Sequence, residues 1–301
     1  MSEIFEKEGN SSYDVSSNDL WWNAENGFFG DNYVGGDNSL EGFIPGKTEN
    51  LEDRTNREVL GILNVLGITK KQQRVDILDA PCGYGRHSIA LAKKREDYPS
   101  IGSVCGVDKN SIHIQKAITE AHKLLGENWR SQVNFLEMDM RDINKLYMLS
   151  EQIKYDSIIN MFFSFGFFFF EGENERLMQR FYDVLRDDGK LLIHTDVSSE
   201  MIESGNYRFN EVRNLVSGKK LIILENYNSQ NKRLNGQWMT YDDAECKVLE
   251  ARKYSVRIYS AKEYENMAKE CGFSDVKIYG SFDKEEFTPS SHELIMVATK
   301  Y

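Results

Sequence analysis

Apolar residues follow two rhythms along the chain. Between residues 74 and 196, short unbroken apolar runs alternate with stretches in which apolar residues recur every three or four positions. The runs are "RVDILDA" (74–80), "SVCGVD" (103–108), "QVNFLE" (132–137), "YDSIIN" (155–160) and "KLLIHTD" (190–196), and each predicts a strand. "RHSIALAKK" (86–94) predicts a helix between the first two, and Ile114, Ala117, Ile118, Ala121 and Leu125 line one face of the next. Leu177, Phe181, Val184 and Leu185 mark another, expected to stop at Gly189. Upstream, Val59, Leu60, Leu63 and Leu66 predict a helix from Arg54 that Gly67 ends. Near-continuous apolar strands alternating with helices predict a parallel sheet covered on both faces.

The second rhythm occupies residues 205–258, where β-leaning runs ("KKLIILENYN", "GQWMTYD", "CKVLEARKYSVRIY") are separated by polar turns. An antiparallel meander inserted after the fifth strand fits this pattern. Ser260 and Glu263 form a capping box ahead of "AKEYENMAKECG", and "FSDVKIYGSF" and "HELIMVATK" supply two closing strands. Residues 1–18 have little to bury and predict a frayed terminus, followed by the aromatic stretch "LWWNAENGFFGDNYVGGDNSLEGF". The expected architecture is α/β and doubly wound. An extension and aromatic lid occupy residues 1–50, and the main domain occupies 51–301 with the 205–258 insertion.

Charge narrows the partners. The formal net charge is −11 and the sequence pI about 5.1, which argues against a broad phosphate-neutralising face and against an anionic membrane surface. Four cysteines form no C-x-x-C pair, and five histidines show no zinc spacing, so no metal site and a reducing compartment are expected. "MSEIFEKEGNSS" lacks the basic start and apolar core of a signal peptide, which makes the cytoplasm the expected location. A monomer or homodimer is expected. The run "MFFSFGFFFF" (161–170) is too short to span a bilayer and predicts a buried strand, a pocket wall or an interfacial patch.

The segment "VDILDAPCGYGRHS" (75–88) carries the chemistry. A strand ends in Asp79, a loop with Gly83 and Gly85 follows, and a helix begins near Arg86. Glycines there let a ligand lie on bare backbone, and the helix start offers free N–H groups. A second acid, Asp108, ends the next strand, where it is placed to accept from a ribose diol. A carboxylate beside this loop would repel a pyrophosphate, which disfavours a nicotinamide oxidoreductase. S-adenosylmethionine carries a sulfonium and an ammonium instead, and both suit acids.

With these residues the chain resembles the class I S-adenosylmethionine-dependent methyltransferases over roughly residues 50–200. "LDAPCGYG" is similar to their D-x-x-x-G-x-G loop, with Pro81 where many members have glycine, and "GVDKN" to their ribose-binding acid segment. "MDMRD" (138–142) resembles the segment that brackets adenine, which implies Asp139 at the amino group and the Met140 backbone at the ring edge. "YDSIINMFFSFG" resembles the strand whose end, here Asn160, faces the methionine moiety. "LRDDGKLLIHTD" resembles the post-helix strand, with Asp188 in place of the first glycine. The resemblance implies a Rossmann-like sheet, S-adenosyl-L-methionine as cofactor and methyl transfer as the activity. Arg54 is a candidate for the methionine carboxylate or for an acid of the body, Lys109 for the adenine flank, and Phe162 for the methionine end of the cavity.

The aromatic lid, "DRTNRE", "CGYGRHS", the insertion and "YSAKEYENMAKECGF" narrow the resemblance to bacterial small-molecule methyltransferases, some of which N-methylate amino sugars. In those relatives a histidine can follow the glycine that matches Gly166; here the position is Phe167, which removes one candidate base. A neutral amine needs only alignment and a free lone pair, whereas an alcohol needs a base. His194, with Asp196 nearby, is the candidate base, and Tyr33 is a second catalytic candidate. Trp22, Phe163 and Trp238 are candidates for substrate contact, with Tyr227 a further one. The expectation is methyl transfer to a small-molecule acceptor at nitrogen. An RNA or protein methyltransferase and a non-catalytic S-adenosylmethionine-binding protein are the alternatives.

Overall fold

The alternation between residues 74 and 196 becomes a parallel sheet in the computed structural model, which describes residues 21–23, 27–40, 49–71, 73–149, 154–170 and 172–301. The expected frayed terminus lies outside the described residues. Helices α1 (Asp31–Asp37) and α2 (Leu51–Leu66) lead in. Then come β1 (Val75–Asp79), α3 (Arg86–Lys93), β2 (Ile101–Asp108), α4 (Ser111–Leu125), β3 (Val133–Glu137), α5 (Asn144–Leu149), β4 (Tyr155–Asn160), α6 (Glu173–Val184) and β5 (Leu185–Thr195). Beyond α7 (Ser199–Glu203) run β6 (Asn210–Asn214), β7 (Lys220–Asn228), β8 (Arg233–Asp242) and β9 (Lys247–Arg257). Helix α8 (Ala261–Glu270), β10 (Asp275–Tyr279) and β11 (Leu294–Thr299) close the chain.

The larger sheet has the order β10-β11-β5-β4-β1-β2-β3, with β11 antiparallel between β5 and β10. Strand order reverses between β1 and β4, and ligands bind outside the carboxyl ends of the strands at such a switch point. Successive side chains alternate faces. Leu78, Ile158 and Leu191 pack towards Leu177 and Phe181 of α6, while Ile77, Ile159 and Leu192 pack towards Val59 and Ile62 of α2 and Ile114 of α4. The smaller sheet is the antiparallel meander β6-β7-β8-β9. No helix among the described residues is long and apolar enough to cross a membrane.

Two elements differ from the sequence pattern for physical reasons. Helix α2 starts at Leu51, with the Asn50 side chain accepting from the Asp53 N–H at 2.8 Å, and its buried stripe uses Ile62 rather than Leu60, which is exposed. Helix α6 ends at Val184, not Gly189, because Leu185 pairs with Tyr155 of β4. The register then jumps to Ser157↔Lys190, so residues 186–189 bulge out and Asp188 takes a φ of 62°. Aspartate tolerates this left-handed region less well than glycine. Asp188→Gly is expected to stabilise the fold by about 0.5–1 kcal/mol. Thermal unfolding checks it; a lowered Tm contradicts the strain argument.

Candidate active site

Strand β1 ends in Asp79, and residues 80–85 turn the chain into α3. Gly83 and Gly85 have φ values of 53° and 80°, and they serve different needs. A Cβ on Gly83 would meet nothing within 4 Å, which leaves bare backbone at the cleft wall. A Cβ on Gly85 would stand 2.7 Å from the Ala117 Cβ and 2.8 Å from the Phe135 ring, so this glycine lets α3 seat against α4 and β3. Asp108, at the tip of β2, braces the loop from the side. The Gly83 N–H donates to its Oδ2 at 2.8 Å, and the Asn110 N–H to its Oδ1 at 2.8 Å.

Asp79 lies beneath the loop rather than in its wall. It is fully buried, its Oδ2 accepts from the Ser88 hydroxyl at 2.6 Å, and its Oδ1 has no hydrogen-bond partner among the described residues. Burial pushes its carboxyl up to about 7 against the Ser88 bond. Burial likewise pushes Asp108 up to about 6 against the Asn110 and Gly83 N–H groups. Two carboxyls held short of full charge at neutral pH form a site that a cationic ligand relieves and a phosphate aggravates.

The cleft outside these tips encloses about 790 Å³ including its open mouth. Pro81, Gly83 and Asp108 form one side, and Lys109, Asp139 and Met140 the far edge. The Lys109 Nζ sits 3.1 Å from Asp139 Oδ2 and 3.9 Å over the Trp22 ring, which joins that edge to the lid. Burial works to raise the Asp139 carboxyl, but Arg141 and Lys109 outweigh it and hold the group at about 2.

The lid is tied down by buried polar groups. Arg54 Nη2 donates to Asp37 Oδ1 of α1 at 2.5 Å, and the Tyr84 hydroxyl donates to Asp37 Oδ2 at 2.5 Å. Beneath them, Glu58 accepts from Arg86 and bonds His87 at 2.9 Å. Asn110 Nδ2 donates to the Phe29 carbonyl at 2.8 Å, a second tether. Arg54 is therefore engaged by an acid of the lid and is not part of the cleft wall.

A second cavity of about 1010 Å³, its open mouth included, adjoins the first, and Phe29, Tyr33 and Phe162 line both. Phe162 and Phe163 project from the carboxyl end of β4 with φ values of 53° and 59°, and Phe163 lines only the second. Two consecutive non-glycine residues in the left-handed region mark a strained turn where the two cavities meet. Tyr33 stacks on Trp238 of β8 at 5.6 Å. Burial, with Asp37 adding to it, pushes the Tyr33 phenol well above its ordinary range, so it acts as an O–H donor across neutral pH. The remaining wall comes from Asp196 just after β5, from Tyr207 and Arg208 ahead of the meander, from Glu211, Arg213, Glu225 and Tyr254 within it, and from His292 before β11. Arg213 is paired with Glu211 at 2.5 Å, whereas Asp196 and Glu225 form no ion pair with a described residue.

Most of the candidates converge on these two cavities. Trp22, Pro81, Gly83, Asp108, Lys109, Asp139, Met140 and Phe162 surround the first, and Tyr33, Phe163 and Trp238 line the second. Asp79, Gly85, Arg54 and Asn160 stand behind the walls; the Asn160 Nδ2 donates to the Ala80 carbonyl at 2.7 Å. His194 lines neither cavity. It is buried, with its ring 5.0 Å from Phe162 and stacked on Phe282. The rest of the phenylalanine run divides. Phe165 packs on Tyr259 and Tyr264, Phe167 lies 5.0 Å from Trp21 and from Phe29, and Phe169 and Phe170 are exposed. Tyr227 faces the meander core rather than the cavity.

The residues that sequence reasoning passed over are Asp37, Tyr84 and Glu58 under the lid, and Tyr207, Glu225 and Tyr254 in the second cavity. Glu225 did carry a signal: it shares the inward strand face with Leu221 and Ile223, where an acid is out of place.

A switch-point loop flanked by acids, closed by an aromatic lid and opening on a second chamber, defines a methyltransferase that uses S-adenosyl-L-methionine, and the exposed Gly83 backbone with the acids around it fits that donor. A family model described as a methyltransferase domain matches residues 71–272, and the chain belongs to that family. No curated protein matches the chain at the sequence level. Among solved structures, the CcbJ methyltransferase from Streptomyces caelestis is similar at a TM-score of 0.65 and 14% identity, over 82% of this chain and 90% of that one. CalS10, an amino pentose methyltransferase from Micromonospora echinaspora, is similar at 0.58 and 16%, over 98% and 100%. The sugar N-methyltransferase KedS8 from Streptoalloteichus sp ATCC 53650 is similar at 0.54 and 16%, over 97% and 95%.

Proposed function

We propose that the chain methylates a nitrogen of a small polar molecule. The observation that carries this reading is the second cavity. It meets the donor cleft at Phe29, Tyr33 and Phe162, and on its wall Glu225 bonds only neutral hydroxyls among the described residues, while Asp196 lies in the field of Arg213 and His194 without a direct ion pair to a described residue. An amine arrives as its ammonium form and brings positive charge, then gives one proton to the facing carboxylate so that its lone pair can take the methyl group; a hydroxyl compound brings no charge. The enclosed size suits a small molecule rather than a polymer. An amine-bearing acceptor is in keeping with CalS10, an amino pentose methyltransferase, and with KedS8, a sugar N-methyltransferase.

S-adenosyl-L-methionine supplies a methyl group on a sulfonium when bound. The chain's own residues then have three tasks. Asp108 and Asp139 hold the nucleoside end, and Lys109 with Trp22 closes over it. The Asp79 carboxyl beneath the loop adds negative potential under the methionine end. Phe162, Phe29 and Tyr33 exclude water at the junction and fix the approach line, and such positioning is worth up to ~10 kcal/mol in methyl transfer. An aromatic face there also attracts a cation.

Asp108→Ala is expected to weaken S-adenosylhomocysteine binding by about 1–3 kcal/mol, because it removes both a ribose acceptor and the brace on Gly83. Calorimetry reads this, and an unchanged affinity removes the assigned role. The acceptor reading is tested by incubating the protein with S-adenosyl-L-methionine and a panel of small amines and alcohols. Product fragmentation should place the added methyl on nitrogen. Methyl ethers alone, or methylated RNA or protein, overturn the reading.

A further inference from the structure

Glu225 lies in the middle of β7 and faces the second cavity. Its Oε2 accepts from the Tyr207 hydroxyl at 2.7 Å, and its Oε1 accepts from the Tyr254 hydroxyl. Tyr254 belongs to β9, two strands away, and Gly236 of β8 lies between them in register: Glu225 pairs with Gly236, and Gly236 with Tyr254. A Cβ on Gly236 would fall 2.2 Å from the Tyr254 ring. The missing side chain on the middle strand is therefore what lets the tyrosine lie flat across β8 and reach the acid. A carboxylate gripped from both sides keeps one orientation on the chamber wall. Resting on the reading of this chamber as the acceptor site, we propose that Glu225 receives the acceptor's ammonium group and thereby selects amines over hydroxyl compounds.

The surroundings support an anchor of this kind. A carboxylate whose two partners are neutral hydroxyls has no countercharge from them, which leaves it free to attract a cationic third group, and a charge-assisted bond is stronger than a neutral one. Trp238, Tyr33 and Phe28 add aromatic wall to the chamber, which favours a cation over a neutral hydroxyl compound. Burial pushes the Glu225 carboxyl up to about 7; the Tyr254 and Tyr207 hydroxyls oppose this, and Asp196 and Glu211 add to it. The other charged or titratable groups facing the chamber are Arg208, Arg213 and His292. The sign follows: an alkylamine stays protonated throughout, so its attraction to Glu225 is present above about pH 7 and fades as the pH falls through it.

The test uses the full chain saturated with S-adenosylhomocysteine and two isosteric probes, trans-4-aminocyclohexanol and trans-1,4-cyclohexanediol, titrated by calorimetry. At about pH 8 the wild type should bind the amine at least about tenfold more tightly than the diol, and Glu225→Gln should lose most of that preference. Affinity for S-adenosylhomocysteine should stay within about twofold, which shows that the variant is folded. Lowering the pH to about 6 should reduce the wild-type preference but not that of the variant. A wild type without amine preference, or a variant that keeps it, overturns the proposal. Should Glu225→Gln fail to bind S-adenosylhomocysteine, a wild-type preference that persists at low pH overturns it. If the wild type N-methylates amines while the variant keeps its preference, Glu225 is excluded and the amine reading stands; if only methyl ethers form, both fall.

Discussion

Glu58→Ala is expected to destabilise the protein by about 3–5 kcal/mol, because removing one partner of a buried ion pair leaves the other uncompensated. Glu58 is buried in α2 and accepts from Arg86, bonds His87 at 2.9 Å, and lies 3.7 Å from Arg54. Without it, Arg86 keeps the Thr55 hydroxyl at 3.1 Å, Asp37 at 3.7 Å and the face of the Phe162 ring at 4.5 Å among the described residues. His87 is held neutral by burial and by Arg86, with its pKa lowered to about 4, so it donates from Nε2 and would also be orphaned. Because Arg86, Tyr84 and Asp37 line the donor cleft, affinity for S-adenosylhomocysteine should fall with stability. Burial works to raise the Glu58 carboxyl, but Arg86 and His87 outweigh it and hold it well below the ordinary glutamate range. Its contribution is therefore fully present above about pH 5 and lost as the pH falls further. Urea unfolding at neutral and acidic pH measures both effects. A loss below about 1 kcal/mol would mean that the cluster relaxes around the gap.

That cluster was only half legible in the sequence. Arg86 and His87 stood out because they follow the glycine loop, yet nothing local connects them to Glu58, about 30 residues upstream, or to Asp37 in the lid. The parallel sheet was readable because each strand is apolar along its length, and Gly67 ended α2 because a helix stop needs only a local residue with positive φ. The end of α6 was not readable, since it is set by Leu185 pairing with Tyr155, a contact between distant segments. The lining of the first cavity was legible for the same reason as the strands: Pro81, Gly83, Asp108 and Asp139 sit at or just after strand tips in fixed sequence order. The second cavity was not, because Tyr207, Glu225 and Tyr254 meet only through the register of β7, β8 and β9. His194 falls where the sequence suggests, near the end of β5, but the left-handed turn at Phe162 lays an aromatic ring beside it, and it lines neither cavity.

Gly166→Ala is the second large effect, expected to cost about 2–4 kcal/mol from backbone strain and overlap together. Gly166 has a φ of 110°, where any side chain is strained, and a Cβ there would stand 2.3 Å from the Arg257 carbonyl oxygen. That oxygen belongs to the end of β9, so it cannot swing aside as a flexible side chain would. The residue is also pinned on both polar atoms: its N–H donates to Asn174 Oδ1 at 3.1 Å, and its carbonyl accepts from the Arg257 N–H at 2.9 Å. Through it, the phenylalanine loop that shapes the junction is sewn to the meander that carries Glu225. An alanine must therefore push the two apart, disturbing the edge-to-face contact of Phe163 with Tyr254 on the chamber wall. Donor binding, built on β1, β2 and β3, should be spared. The expected pattern is a lowered Tm and a loss of amine probe binding, with S-adenosylhomocysteine affinity within about threefold of the wild type. Equal losses of donor and amine binding would show that the two cavities unfold as one unit, and an unchanged Tm would show that the Arg257 carbonyl can yield.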